Sequence, residues 1–370
     1  MTRKAAIIGV GATRSGVHPG RSGYQLTLDA FKMALDDAGI KKTQIDGVIG
    51  ATIAGSALSA EAFSGMVGIN PKVCNGLTYG TSAFSLHYAA SLIEAGICDT
   101  VACVFGRNPP GAGEALSGPS VYNAAHGLIN ANAIAALGWS EHMARYGTTE
   151  RALAEVVVAQ RQYAQANPEA AFTDPLTIED YLAQDYLIWP FRELDIAKSV
   201  AGGMTIIVGS REVARDARKM PIYIEAMGRQ ECARLFEDDG YLLMHSMRDV
   251  ADQVYGKSGL KPADIDALYV YDATSAVVLQ TLENYGFCGE GECEAFVSGG
   301  RIAPGGDFLL NTYGGHLSGG YLFGWLHHVE MVRQMRGEAG ARQLPDIKIA
   351  QYCTTGGARE HYASTIFVAE

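Results

Sequence analysis

Two short stretches near the end of this 370-residue chain carry the side chains best suited to chemistry, Asn311-Thr-Tyr-Gly-Gly-His316 and Cys353-Thr-Thr-Gly-Gly357. A histidine exchanges a proton near neutral pH, and a cysteine can become a thiolate. The glycines beside them let backbone and ligand approach closely. A Cys/His pair distant in sequence and close in the fold is the usual form of a thiol active site. Each motif also has a bland reading: a Gly-Gly-His can be a tight turn, and a solitary cysteine is most often a small core residue. The case for both depends on the elements that hold them.

Residues 5–10 read as a buried strand. Residues 24–38 show helical spacing of Leu26, Ala30, Ala34 and Leu35 and close at Gly39, a natural C-cap. Residues 45–51 read as a strand, 77–94 as a helix and 100–106 as a strand, an alternation that signals a layered α/β fold. Gly9-Val-Gly11 lacks the third glycine of a dinucleotide loop, since Arg14 stands there. Residues 107–200 break the rhythm, with a Gly/Pro-rich start and helical segments around 133–146 and 150–166. They read as an insertion that either covers a site or makes a packing or oligomer contact.

After a strand at 204–209 the chain echoes itself. Gly39-Ile-Lys-Lys-Thr-Gln-Ile-Asp46 recurs as Gly259-Leu-Lys-Pro-Ala-Asp-Ile-Asp266, an offset of 220, each followed by a strand. Thr78-Tyr-Gly80 matches Thr312-Tyr-Gly314, and Cys98-Asp-Thr-Val-Ala102 matches Pro345-Asp-Ile-Lys-Ile-Ala350. Three echoes in one order argue for duplication, with halves at 1–215 and 216–370. The equivalent loops at 77–80, 271–274, 311–316 and 353–357 would then meet.

Hydrophobic content of 48% and charged content of 19% fit a well-buried globular protein. The net charge of −11 argues against nucleic acid or an anionic membrane as main partner. No apolar run reaches about 18 residues, so no transmembrane helix is expected. The seven cysteines, at 74, 98, 103, 232, 288, 293 and 353, form no Cys-x-x-Cys pair. All except Cys353 read as plain free thiols of a reducing cytoplasm, and the chain is expected to hold no metal of its own. His327 and His328 sit on a helical stretch without a carboxylate at metal-ligand spacing and read as surface or packing residues.

Together the segments AAIIGVGATRSG, YGTTERALAEVVVAQRQYAQANPEA, NTYGGHLSGG and CTTGG resemble the thiolase superfamily, in particular its sterol-carrier-protein-type and lipid-transfer-protein-like members. The resemblance covers essentially the whole chain. It implies the thiolase fold: two duplicated α/β halves in five α-β-α-β-α layers with an inserted loop domain. It implies His316 as activator of the attacking thiol and Cys353 as the acid/base at the substrate α-carbon. It further implies the Thr355 N–H in an oxyanion hole, and Tyr271 where relatives use His or Asn as an oxyanion donor. Leu77 stands where thiolases carry their nucleophilic cysteine, and Cys74 lies three residues too early to replace it. Leucine forms no acyl enzyme.

Three functions follow as alternatives. The first is CoA-dependent thiolysis of a β-ketoacyl-CoA in a catabolic pathway such as β-oxidation, with Leu77, Tyr79, Tyr313 and Tyr352 lining a pocket suited to an aromatic acyl group. The second is a retro-aldolase acting on a β-hydroxyacyl-CoA, with Tyr271 as the base. The third is a non-catalytic acyl-CoA- or lipid-binding subunit. The first is favoured here because His316 and Cys353 are retained. The resemblance also implies coenzyme A as co-substrate, a homodimer, and a small partner subunit with a zinc ribbon and an OB-like domain that would carry any zinc.

Overall fold

A computed structural model describes residues 4–51, 59–77, 81–109, 125, 130–230, 240–356 and 361–369. The first strand, β1 (Ala6–Ala12), is buried along its whole length. Helix α1 (Gly23–Ala38) opens on a capping box between Ser22 and Gln25 and stops at Gly39 in the left-handed region. A Cβ on Gly11 would lie 2.0 Å from the Ala30 carbonyl oxygen, so glycine is what lets α1 lie directly on β1.

The strands β2 (Gly47–Ala51), β3 (Val73–Leu77), β4 (Thr100–Arg107) and β7 (Gly202–Gly209) complete the first half of the sheet. The second half holds β8 (Ile222–Gln230), β9 (Ala267–Val270), β10 (Leu309–Leu310), β11 (Ile349–Gly356) and β12 (His361–Ala369). A separate hairpin, β5 (Tyr186–Ile188) with β6 (Phe191–Arg192), lies in the insertion. The order across the sheet is β3-β2-β4-β7-β1-β8-β12-β11-β9-β10. In the first half β2 is parallel to β3 and β4, β7 is antiparallel to β4, and β1 to β7. The second half repeats this, with β9 parallel to β10 and β11, β12 antiparallel to β11, and β8 to β12. The halves join at β1 and β8 through two pairs, Ala6 with Tyr223 and Ile7 with Ile222.

The repeated Ile-Asp has a visible task in both halves. Asp46 accepts the Thr100 N–H at 2.8 Å, and Asp266 accepts the Ile349 N–H at 2.8 Å. Each carboxylate thereby fixes the start of one strand beside the next.

The helices are α1, α2 (Ala60–Val67), α3 (Ser82–Glu94), α4 (Ala131–Tyr146), α5 (Glu150–Gln165), α6 (Ile178–Leu182), α7 (Arg211–Arg215), α8 (Ser246–Ser258), α9 (Ser275–Asn284), α10 (Cys293–Val297) and α11 (Trp325–Met335). Alternation along the strands sends Cys103, Phe105 and Ile206 of one half, and Tyr269, Tyr352 and Phe367 of the other, into a shared core with α3 and α11. The outer faces are covered by Phe31, Ala60 and Ala214 from α1, α2 and α7, and by Val250 and Leu282 from α8 and α9. The result is the five-layer α-β-α-β-α arrangement. No helix of the described residues is long and apolar enough to cross a membrane.

The sequence reading placed a helix at 77–94. Residues Val73–Leu77 are instead a strand paired in parallel with β2, and the helix begins at Ser82. Leu77 therefore ends a strand. The edge strands β3 and β10 are short and lack an alternating pattern, which left them without a period-2 signal.

Candidate active site

The site grows from the end of β9. The Tyr271 N–H donates to the Cys353 carbonyl at 2.8 Å, so the chain still follows β11 as β9 ends. Asn311, just past β10, adopts φ +46. Its side-chain amide accepts the Val270 N–H at 2.8 Å and donates to the Val270 carbonyl at 3.0 Å, continuing a ladder that β10 has left. Gly315–Gly319 then forms a single π-turn, a form often found at functional sites. The His316 and Leu317 N–H groups donate to Asp272 Oδ1 and Oδ2 at 2.8 and 3.2 Å.

Gly315 has φ +58, and a Cβ there would meet Asp272 Oδ2 at 2.1 Å and Gln160 Oε1 at 2.7 Å. Gly315→Ala is expected to lower stability by about 2 kcal/mol or more, from the positive φ and the clash together. Urea unfolding measures it.

His316 is fully buried, and its proton can be placed. The Gly324 N–H donates to Nε2 at 2.9 Å, so the ring proton sits on Nδ1, which faces Asp272 Oδ1 at 3.5 Å. Burial and the neighbouring His327 hold the His316 pKa well below the usual range. The ring is neutral and its lone pair is taken. His327, which has no carboxylate at metal-ligand spacing on its own helix, is buried with its Nε2 3.1 Å from the same Oδ1 and its Nδ1 3.2 Å from the Tyr313 hydroxyl. The partner comes from 55 residues earlier, beyond any local spacing rule. Asp272, His316 and His327 cluster as a metal-ligand set would. The donor chemistry does not fit: a cation would need the Nδ1 lone pair of His316, and that atom carries the proton.

Above this frame the hydroxyls of Tyr271 and Tyr321 meet at 2.5 Å. Both rings stand edge-on to His316, at 4.8 and 4.9 Å. Burial holds the Tyr321 pKa well above its ordinary value, with the bond to Tyr271 and the charge of Arg107 offsetting only part of the rise. The Arg107 guanidinium lies 5.3 Å from the Phe323 ring, which tilts against Tyr321 at 4.5 Å. Sequence reasoning missed Tyr321; its one signal is its place in the glycine-rich run after His316.

The other expected site residues divide. Tyr313 is buried beside His327 and lines a small cleft with Asn167, Glu330 and Arg333, and Tyr352 packs against His327 and His328 at 5.5 and 4.3 Å. Cys353 stands apart from this group. Strand alternation puts it on the opposite face of β11 from Tyr352, where Sγ lies 3.5 Å from Ser364 Oγ beside Tyr285. Burial pushes its thiol pKa to about 12. The structure does not bring it to His316; Thr354 shares the Tyr352 face instead. The Cys353 carbonyl points toward β9, so the Thr355 N–H points the same way, past the last paired residue, Val270. Leu77 is half-buried against the central core, while Tyr79 and Gly357 lie outside the described residues.

Three histidines fix a pH dependence. Burial is the leading cause that lowers His87 and His328 to about 3 and His316 well below its ordinary value. The unfolded chain takes up these protons below about pH 6.5 and the native state refuses them. Stability is therefore present above pH 6.5 and is lost as pH falls, by roughly 1.4 kcal/mol per pH unit per histidine. Thermal melts between pH 7.5 and 5 should show a steep decline in Tm.

A curated relative, the 17-hydroxy-3-oxo-4-pregnene-20-carboxyl-CoA lyase of Mycobacterium tuberculosis, is 32% identical over 364 residues, covering 91% of this chain and 92% of its own. Residues 231–369 match the family described as thiolase C-terminal domain-like. The chain belongs to the thiolase superfamily. The steroid side-chain-cleaving aldolase of Thermomonospora curvata is a second relative of this thiolase-like chain, 31% identical with 90% of each protein covered. A solved structure described as "Ltp2-ChsH2(DUF35) aldolase" superposes with a TM-score of 0.89 at 29% identity, covering 99% of this chain and 98% of its own. Human mitochondrial 3-ketoacyl-CoA thiolase, at 14% identity and a TM-score of 0.72, shares the fold alone. The relatives support a thiolase-superfamily enzyme that cleaves a C–C bond in an acyl-CoA, and they favour the retro-aldol alternative over the thiolysis preferred from sequence.

Proposed function

We propose that this thiolase-like chain is the catalytic subunit of a retro-aldolase that splits a β-hydroxyacyl-CoA into a ketone and a shorter acyl-CoA. The carrying observation is the Tyr271–Tyr321 hydroxyl pair at 2.5 Å, set among aromatic rings with Cys353 on the other face of the sheet. Thiolysis through Cys353 would need that thiol beside the substrate carbonyl, and it lies instead against Ser364 on the opposite face of the sheet.

Retro-aldol cleavage needs a base, an acid and stabilisation of an enolate. One tyrosine oxygen of the pair accepts the β-hydroxyl proton as the Cα–Cβ bond breaks. The bonding electrons pass to the thioester as an enolate, the β-carbon leaves as a ketone, and the pair returns a proton to the α-carbon. Protons balance without exchange with solvent. Arg107 offsets part of the cost that burial places on negative charge at the pair, and the neutral His316 on Asp272 holds both rings in place. The Thr355 N–H is the expected donor to the enolate oxygen.

The named relatives make a steroid side-chain β-hydroxyacyl-CoA the first substrate to try, ahead of the aromatic acyl group suggested by sequence. A small zinc-ribbon/OB-type partner is supported by the DUF35 component of the structural neighbour, and a homodimer by the resemblance. The test compares matched β-hydroxyacyl-CoA and β-ketoacyl-CoA substrates, with the small partner supplied. Turnover of the hydroxy substrate alone supports the proposal. Turnover of only the keto substrate, with free CoA consumed, refutes it.

A further inference from the structure

Away from this site, three elements converge on a second, buried point. His142 of α4, Glu283 of α9 and Cys293 of α10 each offer one ligand atom within 4.8 Å of the other two. His142 Nε2 lies 2.9 Å from Glu283 Oε2, with side chains 1% and 5% exposed, and Cys293 is fully buried. The outer atoms of this group are already held. Glu283 Oε1 accepts the Gly291 and Cys293 N–H groups at 3.0 and 3.1 Å, leaving Oε2 turned to the shared point. His142 Nδ1 lies 2.8 Å from Thr148 Oγ1, and the ring stacks on Trp139 at 4.6 Å.

We propose that His142, Glu283 and Cys293 bind one zinc-like divalent cation that fastens α4 of the insertion to α9 and α10. An imidazole, a carboxylate and a thiolate form a donor set suited to a borderline-soft cation. Charge supports it: a thiolate and a carboxylate balance a divalent cation in a place where unbalanced charge is costly. Burial first, and then Glu283, holds the Cys293 thiol well above its ordinary pKa, so the cation is what would make it a ligand. Tetrahedral coordination puts ligand atoms roughly 3.3–3.8 Å apart, a small adjustment from the present spread. The second layer also fits, since His142 Nδ1–H would donate to Thr148 while Nε2 faces the cation. At His316 a backbone N–H fixes the ring proton on the inward nitrogen, whereas at His142 the Thr148 hydroxyl can accept as well as donate, so the proton now shared by Nε2 with Glu283 can move to Nδ1 when a cation binds. Sequence spacing gave no hint, because His142 and Glu283 are 141 positions apart.

Cobalt titration of the full chain, stripped with chelator under reducing conditions, tests the proposal. One equivalent of Co²⁺ should bind with a thiolate-to-cobalt charge-transfer band and tetrahedral d–d bands, and zinc should displace it stoichiometrically. Cys293→Ser should abolish the charge-transfer band. Thr148→Ala should keep it and weaken zinc affinity about 10- to 100-fold. Circular dichroism checks that each variant is folded, and the wild-type titration decides the matter if Cys293→Ser does not fold. Absence of stoichiometric cobalt uptake overturns the site and leaves a plain His142–Glu283 hydrogen bond. A charge-transfer band that survives in folded Cys293→Ser overturns it as well.

Discussion

Tyr321→Phe should lower kcat for C–C cleavage by about 10²–10⁴-fold while leaving the fold standing. The change removes one oxygen, the atom 2.5 Å from the Tyr271 hydroxyl, and keeps the ring that packs against His316 and Phe323. The lost hydrogen bond costs about 1 kcal/mol of stability, well within what a domain tolerates. A hydroxyl used in proton transfer acts mainly in the transition state, so KM should move far less than kcat. Tyr271→Phe should behave similarly, and the double variant should be little worse than either single one, because each hydroxyl acts through the other. Steady-state kinetics beside thermal melts give the answer. A loss under about tenfold in both variants would remove the pair from the chemistry.

Asp272→Ala should be the most destabilising single change in the site, by about 3–5 kcal/mol. The carboxylate is fully buried. It accepts the His316 and Leu317 N–H groups and faces both imidazoles. Its removal strands those donors without water, at a cost comparable to much of a domain's net stability. Asp272→Asn separates shape from charge: the amide oxygen can keep the His316 N–H, while its NH₂ must face the Leu317 N–H. Asn should therefore fall between wild type and Ala in urea unfolding. In a folded Asn variant, kcat should still drop as His316 loses its anchor. Equal, small effects of both substitutions would mean that the carboxylate does not organise the turn.

How much of this was legible in the sequence differs from residue to residue. The 220-residue echo foretold a repeated strand order, because Asp46 and Asp266 serve the same local purpose in each half. Local spacing also marked Asn311-Thr-Tyr-Gly-Gly-His316 as a place where the backbone must bend tightly. It gave no account of what the bend grips. Asp272 and His327 reach His316 from other elements, and no local rule joins them. Tyr321 sat five residues past the histidine and was passed over, since a tyrosine among glycines looks like packing. Cys353 marks the limit of local pattern: one step along a strand reverses the face, and the sequence does not reveal which face looks inward. The thiolysis reading rests on His316 and Cys353 together, and the structure separates them, with the thiol facing Ser364.

The most direct test of the central claim is product analysis of a β-hydroxyacyl-CoA incubated in D₂O with the chain and its small partner, free CoA being withheld. The account predicts a free ketone and one shorter acyl-CoA carrying deuterium at its α-carbon, with both products lost in Tyr321→Phe. Cleavage that waits for added CoA and yields two CoA esters would contradict it.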